Sequence, residues 1–407
     1  MSSVNRRQWL RRLGAAGLAA AAGTEATAKG QQPSNPPQPL KPERLALEDF
    51  QPKSILHVPE TMVSRARFPV IDVHTHLTWG TPRTNGVTVG EEIDVFAFPG
   101  ELVSLMDRKN IRLMVNVTGN YGKGLKEAIQ LFQETHPDRF MVFTEPAWGR
   151  LLLPEYSQWQ ADEIGRAHRA GAKGLKVLKT LGLYLREKII SGPLVKIDDP
   201  RFEPMWESCA GFKMPVAIHS SDPEAFFLPV DRFNERFEEL NSYPNWSFYG
   251  KDIPSNGELL EARNRVFTRH PKVAFIALHV GNNAENLAYV SQCLDRFPNM
   301  HVDLAARINE LGRQPRAARK FFERYQDRIM FGTDASPKRM RPSLKVLSDQ
   351  LFETYYRFLE TEDEYFDYSP WSKPLQGRWQ IYGLGLPESI LRKVYYENAE
   401  RVLGVKG

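Results

Sequence analysis

Cysteine is nearly missing: Cys209 and Cys293 are the only two in 407 residues. Each lies in a stretch with amphipathic helical spacing, so both read as small core residues rather than a disulfide or a metal pair. No Cys-x-x-Cys occurs, so any metal site must use nitrogen and oxygen ligands. A chain of this size can bury a large core without disulfides. Long apolar runs are also lacking. The best candidate, Leu13–Gly23, is too short to span a bilayer, which argues against stable membrane insertion. A strong charge of one sign is missing as well, since 54 Lys and Arg face 49 Asp and Glu. Residues 1–28 hold four Arg and one Glu, and without them the balance is 50 to 48. That speaks against a nucleic-acid partner. Finally, no glycine-rich phosphate fingerprint follows the first strand-like run, which counts against a dinucleotide fold.

What the N-terminus does contain is an address. Arg6, Arg7, Arg11 and Arg12 precede the small apolar run, and Ala26-Thr27-Ala28 offers a small-residue cleavage site. The stretch Asn5-Arg6-Arg7-Gln8-Trp9-Leu10 matches the bacterial twin-arginine type. Residues 1–28 are therefore expected to be a signal peptide for twin-arginine export to the periplasm, with that export machinery as partner of the precursor. Residues 29–68 read as a Pro- and Gln-rich linker followed by an arm, and 69–407 as the catalytic domain.

From residue 69 on, short apolar runs alternate with helix-like stretches. Strands are expected at 69–73, 111–117, 139–144, 173–178, 214–218, 273–278, 300–304 and 329–332. Helices are expected between them, at 101–110, 123–136, 157–170, 203–213, 258–270, 284–297 and 313–326, with a closing helix at 387–403. Eight strands with helix-length connections predict an α/β domain of parallel strands, most economically a closed (β/α)8 barrel. An open doubly wound sheet is the competitor. Long connections follow strands 1, 5 and 8, at 77–100, 219–257 and 341–387. The second is rich in aromatics (Phe226, Phe227, Trp246, Phe248, Tyr249), which either wall a pocket or anchor the loop.

The run Val70-Ile71-Asp72-Val73-His74-Thr75-His76 ends a buried strand in two histidines at i and i+2, whose side chains share one side of an extended backbone. Two converging imidazoles suit a borderline-soft divalent cation. Other strand ends carry His219, His279 and Asp334. His74, His76, His219 and Asp334 offer three nitrogens and one carboxylate for a metal. His279 is left as a proton carrier, and Asp334 can also accept a proton from attacking water. His57, His136, His168, His270 and His301 look structural. Trp79 stands close enough to wall the site, and Glu145 ends strand three. Lys179, Arg307 or Arg313 could hold a substrate carboxylate, or else pair with Asp222, Asp303 or Glu310. Of Lys173, Lys176 and Lys179 on strand four, alternation puts Lys173 and Lys179 on one side and Lys176 on the other.

This constellation, with Phe331-Gly332-Thr333-Asp334 and the closing Tyr396-Glu397-Asn398-Ala399-Glu400-Arg401, resembles the amidohydrolase superfamily of metal-dependent TIM barrels. It resembles in particular the amidohydrolase-2 branch, which includes aminocarboxymuconate-semialdehyde decarboxylase, related decarboxylases and hydrolases. The resemblance spans about residues 69–403 and implies one divalent ion, zinc or manganese, on His74, His76, His219 and Asp334. It implies His279 as the catalytic histidine; two-metal relatives carry a carboxylated lysine on strand four. The expected reaction is hydrolysis of an amide, ester or lactone-type bond in a small organic substrate by metal-activated water. Non-oxidative decarboxylation of a small carboxylic acid is the second reading. A non-catalytic envelope binding protein is disfavoured, because all five polar positions are present. A homodimer is left open.

Overall fold

The computed structural model describes residues 45–46, 49–50, 52–338, 346–369 and 376–405. The expected signal peptide and Pro-rich linker lie outside these residues, as does part of the last long connection. Residues 55–407 form one compact unit.

The strands are β1 (Val70–Thr75), β2 (Thr78–Thr84), β3 (Val87–Val95), β4 (Ile111–Asn116), β5 (Phe140–Val142), β6 (Leu175–Val177), β7 (Val216–Ile218), β8 (Phe275–Ala277), β9 (Met300–Asp303) and β10 (Ile329–Met330). Two parallel ladders, β1-β4-β5 and β10-β9-β8-β7-β6, contain eight of them. Parallel bridges Thr75↔Ala335 and Thr144↔Leu175 join the ladders at both seams. The ring thereby closes into a (β/α)8 barrel, and the open-sheet alternative falls away. All eight expected strands are present, several of them shorter than expected.

Alternation along the strands sorts side chains onto two buried faces, as a barrel sheathed in helices requires. On β7, Val216 and Ile218 join the large outer core while Ala217 packs in a smaller cluster with Ile71, Val73, Ile276 and Met330. Ala399 and Leu403 of the closing helical segment belong to that smaller cluster. This segment runs Glu388–Arg392, Lys393–Glu397 and Asn398–Leu403, the middle piece wound in wide turns.

The connection after the first strand differs from expectation. It is not an irregular loop: β2 and β3 pair as an antiparallel hairpin. Asn85 and Gly86 at its tip both have positive φ, 47° and 82°, as a tight hairpin turn demands. The last long connection contains the helix Asp349–Glu360. Among the described residues no helix is long and apolar enough to cross a membrane.

Candidate active site

The C-terminal ends of the barrel strands carry the site. Asp72 in β1 accepts from the backbone N–H and hydroxyl of Thr333, at 3.1 and 2.6 Å, and from the His74 N–H at 3.1 Å. This ties the first strand to the turn bearing Asp334, whose N–H donates to the His74 carbonyl at 2.8 Å. Burial raises the Asp72 carboxyl to about 7 despite these bonds, so it holds its place as a buried polar pin.

His74 is fully buried, with Nδ1 2.7 Å from Asp303 Oδ2. His76 has Nδ1 3.1 Å from the Thr118 hydroxyl. With the Nδ1 atoms engaged, both Nε2 atoms face the same oxygen, Asp334 Oδ1, at 3.3 and 2.9 Å. The ligand atoms of His74, His76 and Asp334 all lie within 4.8 Å of one another. Burial lowers His76 to about 4, which keeps the imidazole neutral as ligation needs. This donor set fits one divalent ion, and Asp303 is the carboxylate that orients a ligating histidine.

His279 and His219 form the neighbouring pair. His279 Nδ1 lies 2.8 Å from the Ala305 carbonyl, so that nitrogen carries the proton and the Nε2 lone pair faces the cavity, 3.3 Å from His219 Nδ1. His219 Nε2 lies 3.3 Å from Asp222 Oδ1. The structure thus gathers His74, His76 and Asp334 into one cluster and sets His219 beside His279 rather than inside it. Burial also lowers His219 to about 4 and pushes His279 well below its ordinary value. Backbone strain concentrates here: His279, Val280, Ala306 and Asp334 all have φ between 55° and 60°. A left-handed residue other than glycine costs about 1–2 kcal/mol, and such strain persists only where the surroundings enforce it.

A cavity of about 630 Å³ opens above these groups. His76, His219, His279 and Asp334 form part of its lining, together with Trp79, Lys179 and Arg307. Trp79 on β2 meets His76 edge-on, with ring centroids 5.3 Å apart. Lys179 is held by Asp222 at 2.6 Å. Of the loop aromatics, Phe226 and Trp246 line the cavity, while Phe248 is buried in the core and Tyr249 is exposed. Arg313 takes another role, pairing with Glu235 at 2.9 Å and lying 3.9 Å over the Trp379 ring.

The strand-four lysines divide differently from a simple alternation, because β6 ends at Val177. Lys173 is exposed, and Lys176 is wholly buried with Nζ 3.2 Å from His74 Nε2. Glu145 is buried, accepts the Asn120 N–H at 3.1 Å and is raised to about 7 by burial. The roles of Asp303 and Asp72 were not foreseen, since a carboxylate inside a strand gives no local sign of its partner across the barrel. The hairpin residues Arg83 and Asn85 also line the cavity; their only sequence signal is Asn85-Gly86, a strong hairpin turn.

The amidohydrolase family model matches residues 71–405, and the chain belongs to that family. It is a TIM barrel with a largely buried His/His/Asp cluster able to hold one divalent metal ion. No curated protein sequence matches it significantly. Among solved structures it resembles 2,6-dihydroxybenzoate decarboxylase from Rhizobium, with 16% identity over 84% of this chain and 100% of that one and a TM-score of 0.50. It also resembles a dihydroxybenzoic acid decarboxylase from Polaromonas sp. JS666 with bound manganese, at 14% identity over 83% and 97% of the two chains and a TM-score of 0.51. At such identity the likeness establishes the shared fold.

Proposed function

We propose that the chain is a non-oxidative decarboxylase of a small aromatic or unsaturated carboxylic acid, working with one zinc or manganese ion. The observation that carries this reading over hydrolysis is Arg307. Its guanidinium lines the cavity although the residue is only 5% exposed. It donates to the Ala306 carbonyl at 2.8 Å, and it has no ion pair among the described residues. Asp222, Glu239 and Glu285 act on it only from beyond ion-pair distance; a buried guanidinium so placed is costly, and a substrate carboxylate is the partner that fits its fork. Trp79, Phe226 and Trp246 offer flat apolar walls beside it. The dihydroxybenzoate decarboxylases that share the fold are a parallel for such a substrate, and the manganese in one of them is a parallel for the ion.

His74, His76 and Asp334 would hold the ion, with His219 proposed as a further ligand. When bound, it supplies Lewis-acid polarisation of a substrate oxygen and a fixed anchor for it. Decarboxylation breaks the bond between the carboxylate and its carbon, leaves the electron pair on that carbon, releases carbon dioxide and adds one proton. His279 is placed to pass that proton from solvent through Nε2. With Nδ1 held on the Ala305 carbonyl, the Nε2 lone pair is free to take up a proton and pass it on. Arg307 and the aromatic walls would orient the acid.

The test is a metal-reconstituted screen of carboxylic acids, esters, amides and lactones with carbon dioxide monitored. Carbon dioxide release from an aromatic or unsaturated acid is expected; ester, amide or lactone cleavage with no acid decarboxylated would overturn the reading in favour of hydrolysis. Arg307→Gln should raise KM about 10- to 100-fold for such an acid, the cost of one charge-assisted contact. An unchanged KM would remove Arg307 from substrate binding. We also propose twin-arginine export, for which the mature protein should begin near residue 29 in N-terminal sequencing of a periplasmic fraction.

A further inference from the structure

His279 sits in a backbone conformation that its own sequence does not favour. His279 has φ 56° and ψ 47°, and Val280 has φ 55° and ψ 46°. Gly281 and Asn282 continue at φ 66° and 58°. Four successive positive values make one turn of left-handed helix. Glycine and asparagine accept it, but a β-branched valine is a genuine outlier there. The strain must be held from outside.

Besides the Ala305 carbonyl on the His279 ring, three contacts hold it from outside the turn. The His279 N–H donates to Asp303 Oδ1 at 2.5 Å, and Asn282 Oδ1 accepts the Ser220 N–H at 3.0 Å. The third comes from Arg263, on the helix Asn256–Arg269, whose Nη1 donates to the Gly281 carbonyl at 2.6 Å. Arg263 is fully buried and has no ion pair among the described residues. Its Nε and Nη2 share the Asn264 Oδ1 at 3.2 and 2.9 Å, and its guanidinium lies 5.4 Å over the Phe267 ring. It is not among the residues lining the cavity. An apolar side chain would fill such a position more cheaply than a cation without a carboxylate. What the guanidinium supplies is a charged donor to the carbonyl of the strained turn.

We propose that Arg263 is a positioning residue for His279: its bond to the Gly281 carbonyl holds the left-handed turn that aims His279 Nε2 into the cavity. The proposal rests on the catalytic role assigned to His279, but the geometric half can be read without any substrate. Asn264 aligns the guanidinium, and Gly281 takes its place in the turn at φ 66°, where an L side chain is strained.

The experiment compares wild type, Arg263→Gln, Arg263→Lys and the double variant Arg263→Gln/Val280→Gly. Histidine-selective ¹⁵N NMR, with the His279 signal assigned by its loss in His279→Asn, reads the ring directly; metal content and kinetics accompany it. Arg263→Gln is expected to keep its metal, to shift or broaden the His279 imidazole signal, and to lower kcat about 10- to 100-fold with KM nearly unchanged. Arg263→Lys, which retains one charged donor, should restore part of both. Val280→Gly should also recover part of the kcat loss, because glycine adopts the turn without strain. If Arg263→Gln fails to fold, Arg263→Lys carries the comparison. An unmoved His279 signal in the folded variant, or no recovery from Val280→Gly, would make Arg263 a core residue only and overturn the proposal. Should the wild type decarboxylate no acid, the NMR result still decides the geometry, so the two failures are distinguishable.

Discussion

At the scale of single residues, the site is an exercise in fixing which ring nitrogen is free. Asp303 does two jobs at once: Oδ2 engages His74 Nδ1, and Oδ1 accepts the His279 N–H. One carboxylate thereby sets the orientation of a proposed ligand and of the proposed proton carrier. Asparagine has a single acceptor oxygen, so Asp303→Asn must give up one of the two bonds. Metal affinity is expected to fall about 10- to 100-fold, as for other partners of ligating histidines, in competition with a chelator of known affinity. Unaltered affinity would mean that His74 is oriented by packing alone. His74→Ala and His76→Ala should remove the ion altogether, whereas His279→Asn should leave metal content intact while cutting the rate by orders of magnitude.

At the scale of elements, the face of the barrel is assembled from strand ends and one inserted hairpin. The hairpin places Trp79 and Arg83 at the cavity, and it docks where glycines let another backbone come close. A Cβ on Gly149 would fall on the Val89 carbonyl oxygen of β3. Gly149→Ala should therefore push the hairpin outward. The expected cost is about 1–3 kcal/mol, typical of overpacking, visible as a lower Tm, with KM raised because Trp79 moves with its strand. A variant as stable as wild type with normal KM would show that the hairpin yields freely. The same elements show how much was legible in the sequence. The eight barrel strands and their helices were, because short apolar runs alternate with 3.6-residue periodicity. The position of His74, His76, His279 and Asp334 at or just past barrel strand ends was too, because polar residues at the ends of buried strands are conspicuous. Lys176 was not, since its place beside His74 follows only once β6 is known to run Leu175–Val177, with both flanking residues in the outer core and Lys173 and Lys179 outside the strand. Nor was Asp303, whose partners lie 229 and 24 residues away in the chain. The hairpin has a local signal in Asn85-Gly86, whose two positive φ values suit a tight turn.

At the scale of the whole molecule, the barrel buries titratable groups of opposite tendency. Burial raises Asp72, Glu145 and Asp303 to about 7. These carboxyls are more readily protonated folded than unfolded, so their contribution is fully present at low pH and is lost as pH rises through about 7. The buried histidines work the other way. His301, paired with Ile276 in the β8–β9 ladder, stands outside the candidate metal cluster, and its Nδ1 has no hydrogen-bond partner within normal geometry among the described residues. Burial, reinforced by Arg328 and Arg401, lowers it to about 3. Between an unfolded value near 6.5 and that folded value, only the unfolded chain takes up the proton. Stability from a neutral His301 is therefore intact above about pH 6.5 and drains away as pH falls toward 3. His301→Gln removes this titration. Any packing penalty of the glutamine is independent of pH, so the slope is the diagnostic. Urea unfolding from pH 7.5 to 4.5 should show the variant gaining on wild type by on the order of 2–3 kcal/mol as pH falls. Parallel curves would mean that His301 is already protonated in the folded barrel, with its charge tolerated beside two arginines.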